Sequence, residues 1–329
     1  MPYLVRQKIL VFALVTAIIT DVGLLVVLWP GGFGADFIVY WRAAHSVAPY
    51  APSPMPFANP PTALLWLQIL RPMSATLSYA IVGLGGLAAY LWCGEKLYGR
   101  SAAFLALLSP AVLLAAIPGQ LAIIEGALIF LAFASPPIAC GILLAIAGSV
   151  KPQMVLLAPV TLYAVHGLKG VAAFAIAGLL LMAAATIAFG PEVWSAWFAG
   201  MSSLVQVATE RHALLLAVSP LSFTGSLNWI VLVLAFAIAA IAAVLLYKSR
   251  NLPAGDQAAL LVACSLFASP YALSYDMAAL APLAAAVLLR DRSWRSAGAA
   301  LTFTGAFGPL SLIGGFLATR RTGLTTSPP

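Results

Sequence analysis

Apolar runs of bilayer-crossing length recur from one end of this chain to the other, and no other feature restricts its fold as strongly. A helical crossing of a hydrocarbon core needs about 20 apolar residues. Residues 9–29, 75–93, 170–189 and 228–247 meet or approach that length, and shorter apolar runs fill most of the remainder. The runs are continuous and rich in Ala, Leu, Ile and Val, with no alternation every second residue, so helices satisfy the backbone where a barrel does not. The 329 residues are 63% hydrophobic and 8% charged, far below the roughly 25% charged content of soluble domains. The expected fold is all-α, a polytopic transmembrane helical bundle of about ten or eleven spans. It forms one domain over 1–319, with a short polar tail at 320–329.

The net charge of +7 arises from basic residues scattered in ones to threes at the ends of apolar runs, which excludes a nucleic-acid patch. Cys93, Cys140 and Cys264 stand far apart without disulfide or metal spacing, and no cluster has the spacing of a metal site. Neither a metal nor a cofactor is expected. Arg6 and Lys8 precede an apolar run too long for an ordinary signal peptide, so the first span reads as an uncleaved anchor.

With Arg6 and Lys8 inside, spans follow at 75–93, 101–117, 121–134, 138–150, 153–166, 170–189, 228–247, 257–269 and 274–289, and an apolar stretch at 297–319 closes the chain. Residues 61–70 are too short to cross and are expected as an interfacial or re-entrant helix. Before the C-terminal segment only Arg42, Arg71, Lys151 and Arg211 then fall outside, which obeys the positive-inside rule. A single last span leaves Arg320 and Arg321 outside; a hairpin broken at Gly308-Pro309 returns them. The inner connections are short and basic, whereas two long loops, 30–60 and 190–227, face outward. Pro49, Pro52, Pro54, Pro56, Pro60 and Pro61 stiffen the first of them.

This threading collects Asp36, Arg42, His45, Gln120, Lys151, Glu192, Glu210, Arg211, His212, Tyr275 and Asp276 on the outer face. Asp36 follows the first span, where it suits a base acting at the membrane surface. Lys151, in a turn with almost no loop, either pairs with an anion such as a lipid phosphate or snorkels. Gln120 is a polar helix end or a ligand. Asp276 opens a span after Ser269-Pro270, where capping suits it. Arg211-His212 either binds phosphate or forms a solvated cluster. Asp21 and Glu125 lie within apolar spans and call for a structural partner or a chemical role.

Asp36 with Tyr40-Trp41, Asn59-Pro60-Pro61, Gly119-Gln120, Gly141 through Lys151-Pro152, and Ser269-Pro270 with Tyr275-Asp276 together resemble glycosyltransferase family 87. These are polytopic transferases of the C-type fold, a class that includes bacterial polyprenyl-phosphate-mannose-dependent mannosyltransferases. The resemblance implies a polyprenyl-phosphate sugar as donor, a lipid or glycan hydroxyl as acceptor, and an active site on the outer face of the cell (inner) membrane. It places Asp36 as general base of an inverting transfer of a mannose-like hexose. Lys151, Arg211 and His212 are the expected donor-phosphate contacts, and Tyr40, Arg42, His45, Gln120, Tyr275 and Asp276 the substrate contacts. Where many relatives carry a Trp-Asp-His type sequence, this chain has Tyr275-Asp276-Met277. Two rivals remain open here: a transporter with a polar path through Asp21, Glu125 and Lys151, and a non-catalytic lipid-binding protein.

Overall fold

A computed structural model describes residues 3–28, 32–51, 53, 56–210, 218–221, 229–269, 271–290, 295–304 and 309–319. The protein is all-helical, and the described residues contain no extended strand. The long first helix, α1 (Tyr3–Leu28), is followed by α2 (Phe37–His45) within the first connecting segment. The apolar 61–70 stretch forms a short helix, α3 (Pro61–Leu67), which runs into a 3-10 turn, Gln68–Leu70. Pro61 suits the first helical turn because its missing N–H has no intrahelical partner there.

Helix α4 (Ala75–Tyr98) begins at Ser74, whose hydroxyl accepts from the Leu77 amide. The expected continuous span at 101–117 is instead two helices, α5 (Arg100–Ala106) and α6 (Pro110–Ala116). Pro110 cannot continue a helix that arrives from Ala106, and the Ser109 hydroxyl donates to the Phe303 carbonyl at 2.9 Å. Helices α7 (Ala122–Phe133) and α8 (Pro137–Val150) are separated by the Pro136-Pro137 break.

Helix α9 (Ala158–Phe189) is broken at Gly167, where φ is 64° and ψ is −158°. In an unbroken helix residues 162 and 170 stand about 12 Å apart along the axis. Here a Cβ at Gly170 would lie 3.2 Å from Leu162, so the chain doubles back at Gly167, as the division into 153–166 and 170–189 anticipated. The second expected outer loop is corrected: residues 192–210 form a helix, α10 (Glu192–Glu210). Trp194, Trp197 and Phe198 bring helical aromatic spacing to a segment whose flanking charges read as a loop.

The remainder comprises α11 (Trp229–Lys248), α12 (Ala254–Ala268), a 3-10 segment Ser274–Leu280 that leads into α13 (Ala281–Arg290), α14 (Arg295–Thr304) and α15 (Pro309–Thr319). Helices α14 and α15 form a hairpin. A Cβ at Gly298 would meet the Gly314 carbonyl at 2.8 Å, and Arg295 Nε donates to the Ala318 carbonyl at 2.5 Å. The hairpin alternative for 297–319 therefore holds, and the end of α15 returns to the side of Arg295.

Of the described helices, Ala75–Tyr98, the part of Ala158–Phe189 beyond the break at Gly167, and Trp229–Lys248 are long and apolar enough to cross a membrane; the other apolar helices in the interior of the chain are shorter. These three carry large apolar side chains on their outer surface, among them Leu84, Ile187 and Phe236. Such a surface is stable against lipid and not against water. Basic residues gather at one end of the bundle. There Tyr98 donates to the Gly255 carbonyl at 2.8 Å, Gln257 to the Arg250 carbonyl at 2.6 Å, and Arg295 lies 3.7 Å from Asp256.

Candidate active site

The other end is built on a small apolar cluster in which Phe37 and Tyr40 of α2 pack with Phe57, Leu64 of α3 and Val193 of α10. The start of α2 is docked on the chain between α6 and α7. The Gly34 amide donates to the Ile117 carbonyl at 2.9 Å, and the Asp36 and Phe37 amides donate to the Pro118 carbonyl at 3.0 and 2.9 Å. Gly119 makes this approach possible: its φ is +80°, and a Cβ there would lie 2.6 Å from Phe37 Cβ and 2.9 Å from the Tyr79 ring. The next residue, Gln120, hydrogen bonds through its amide to the Ala115 carbonyl at 2.8 Å, which turns its side chain toward α2.

A chain of polar contacts then crosses four separate segments. Gln120 Nε2 donates to Asp36 Oδ2 at 2.6 Å. Gln120 Oε1 accepts from the Tyr40 hydroxyl at 2.6 Å and from Lys151 Nζ at 3.2 Å. Lys151 Nζ also donates to Asp276 Oδ1 at 2.8 Å and lies 4.5 Å from the centre of the Tyr275 ring. Asp276 Oδ2 accepts from the Leu273 amide at 3.2 Å, so Asp276 both caps its 3-10 segment, as expected, and neutralises Lys151. Tyr40 reaches the same amide as Asp36 because residues four apart share a helix face.

Lys151 does not snorkel. It is 5% exposed and its partner Asp276 is 0% exposed. Its direction is set by the first connecting segment: Asn59 Nδ2 donates to the Val150 carbonyl at 2.9 Å and Thr62 to the Ser149 carbonyl at 2.6 Å. Both carbonyls belong to the last turn of α8, where intrahelical donors run out. Burial works against the Lys151 charge, but the carboxyl groups of Asp276 and Glu125 outweigh it and hold the ammonium above the ordinary lysine range.

Asp36 differs from Asp276 in one decisive respect. It is part-exposed, its side chain caps no helix, and among the described residues its Oδ1 takes no hydrogen bond. Burial raises its carboxyl above the ordinary aspartate range, with the Gln120 hydrogen bond and the Lys151 charge pulling the other way. The result is a carboxylate gripped through one oxygen and open at the other.

Asp36, Tyr40, Gln120, Lys151, Tyr275 and Asp276 thus come together. Arg42 and His45 do not: Arg42 is exposed on another face of α2, and His45 stacks on Trp41 with its ring nitrogens 2.8 and 3.0 Å from the carbonyls of Trp41 and Arg71. Glu192 is exposed at the start of α10, and Arg211 and His212 lie outside the described residues. Glu125 departs from the expected structural partner. It is 1% exposed in the first turn of α7, and among the described residues neither carboxylate oxygen has a hydrogen-bond partner. Asn59 and Thr62 carry the site's supporting contacts; the Asn-Pro-Pro signal marked the segment and gave no hint of what it holds.

Fold and cluster together define a helical protein with membrane-length apolar helices and a polar site at one end of its bundle. The family profile of Glycosyltransferase family 87 matches residues 57–270, and the chain belongs to that family: it is a glycosyltransferase. The matched stretch holds Asn59, Gln120 and Lys151, while Asp36 and Asp276 flank it. Neither a search of curated proteins nor one of solved structures finds a match.

Proposed function

We propose that this glycosyltransferase has the C-type fold and moves a mannose-like hexose from a polyprenyl-phosphate sugar to a lipid or glycan hydroxyl on the outer face of the cell membrane, with inversion at the anomeric carbon. The observation that carries this is the state of Asp36, held through Oδ2 by Gln120 and open at Oδ1 on the edge of a polar cluster. A sugar linked to a phosphate already has a stable anionic leaving group, so no general acid is needed. The reaction needs a base for the acceptor hydroxyl, worth about 10²–10⁴-fold, and Asp36 supplies it. As the acceptor oxygen bonds to the anomeric carbon, its proton passes to Asp36 and the electron pair of the breaking C–O bond leaves with the phosphate.

Positive charge near the departing phosphate stabilises that step. Two of the three Lys151 N–H donors go to Asp276 and Gln120, so in this scheme Lys151 organises the base and turns its remaining donor toward the phosphate, with Arg211 and His212 as further phosphate contacts. Tyr40, Gln120, Tyr275 and Asp276 line the cluster.

The test is Asp36→Asn in purified protein supplied with polyprenyl-phosphate sugars and membrane lipid or glycan acceptors, the products read by mass spectrometry. Transfer should fall by about 10²–10⁴-fold while the protein stays folded in detergent. Wild-type transfer by that variant removes Asp36 from the chemistry.

A further inference from the structure

Among the described residues, Gln120 is the one side chain that hydrogen bonds to both the part-exposed carboxylate and the buried ion pair. The orientation of its amide follows from chemistry. A lysine ammonium only donates and an ionised carboxylate only accepts. Oε1 must therefore face Lys151, at 3.2 Å, and Nε2 must face Asp36, at 2.6 Å. The Tyr40 hydroxyl, which can donate or accept, donates to Oε1 at 2.6 Å in this orientation. Flipping the amide would set an N–H against the Lys151 ammonium and an acceptor against Asp36, so the flipped form is excluded on two counts. Behind Gln120 the Lys151–Asp276 pair is buried and anchored to the Leu273 amide, and in front of it Gly119 fixes the backbone from which the side chain departs.

We propose that Gln120 is a positioning residue: its locked amide holds Asp36 by Oδ2 and thereby fixes Oδ1 as the atom that receives the acceptor's proton, which rests on the reading of Asp36 as the base. The amide N–H takes one lone pair of Oδ2 and lowers its basicity, whereas Oδ1 accepts no hydrogen bond among the described residues, which makes Oδ1 the more basic oxygen. Because that N–H favours the charged carboxylate, Gln120 also sets the pH range over which Asp36 works.

Two variants isolate this role. Gln120→Glu keeps an acceptor for Tyr40 and Lys151, so the packing survives, and replaces only the donor facing Asp36 with a like charge. Gln120→Met removes donor and acceptor at similar volume. For both, kcat in the sugar-transfer assay should fall by about 10²-fold, the scale of a misplaced catalytic group, with donor KM little changed. In Gln120→Glu the acid limb of the pH–rate profile should move up by about one pH unit or more, as apposed carboxylates require. A readout independent of substrate comes from infrared titration of the Asp36 carboxyl, assigned by its loss in Asp36→Asn: it should titrate at higher pH in Gln120→Met than in wild type. If Asp36→Asn is inactive but the Gln120 variants keep the wild-type kcat, acid limb and carboxyl titration, Gln120 has no positioning role and the base assignment stands. If Asp36→Asn is active, the base assignment itself fails.

Discussion

Gly119→Ala is the smallest change that separates the position of α2 from the chemistry of its residues. The added methyl carbon would lie 2.6 Å from Phe37 Cβ and 2.9 Å from the Tyr79 ring, against about 3.5–4.0 Å for carbon atoms in contact. Relief therefore requires α2 and the 117–120 turn to separate by about 1 Å. The backbone adds a second penalty, because φ is +80° at residue 119 and a left-handed conformation costs an L-residue about 1–2 kcal/mol. Overpacking of this kind adds about 1–3 kcal/mol. Asp36 lies next to Phe37 and its contact with Gln120 is 2.6 Å long, so a 1 Å separation breaks it. Misplacement on that scale costs on the order of 10²-fold in rate. Thermal unfolding in detergent together with the sugar-transfer assay should show a lower midpoint and a kcat reduced by about 10²-fold. A variant with wild-type midpoint and wild-type kcat would refute the dependence of the Asp36 site on this close approach.

Other outcomes are expected. Lys151→Met strands Asp276 at 0% exposure and should destabilise the protein by about 3–5 kcal/mol; the double variant Lys151→Met/Asp276→Leu should recover much of that loss in a double-mutant cycle. Transfer should fall with decreasing pH at a higher pH than an ordinary aspartate would give, because burial raises the Asp36 carboxyl and the base acts in its ionised form; a profile flat down to the usual aspartate range contradicts this. A raised carboxyl favours the folded state only when protonated and loses that contribution as pH rises through its folded value. Asp36→Asn should accordingly unfold at a temperature no lower than wild type at neutral pH. Asn59→Ala leaves the Val150 carbonyl without its 2.9 Å donor and should lower stability by about 1–3 kcal/mol, measured by the same thermal assay.

The helical class and the end of the bundle that carries the site were legible because both follow from the lengths of apolar runs and from where polar residues interrupt them. The break near Gly167 and the pairing of α14 with α15 were legible for the same reason, since glycine and proline punctuate helices. Helix α10 was not: its aromatic residues are flanked by charges, and an amphipathic helix gives a weaker signal than a continuous apolar run. The inward direction of Lys151 was also hidden. It depends on Asn59 and Thr62, which act on α8 from 91 and 87 residues away, and no local pattern encodes contacts so distant. His45 looked like a site residue by position, yet its ring is turned onto the carbonyls of Trp41 and Arg71.

Lys151 and Asp276 are 125 residues apart in the chain. At about 5–20 residues per second, synthesis brings the aspartate out roughly 6–25 s after the lysine. Throughout that interval the ammonium lacks the carboxylate that lies 2.8 Å from it in the finished fold. Only when α12 and the segment after it arrive can the buried Lys151–Asp276 pair close behind Gln120. A ribosome product that stops short of residue 276 therefore lacks the buried ion pair against which the Gln120 side chain rests.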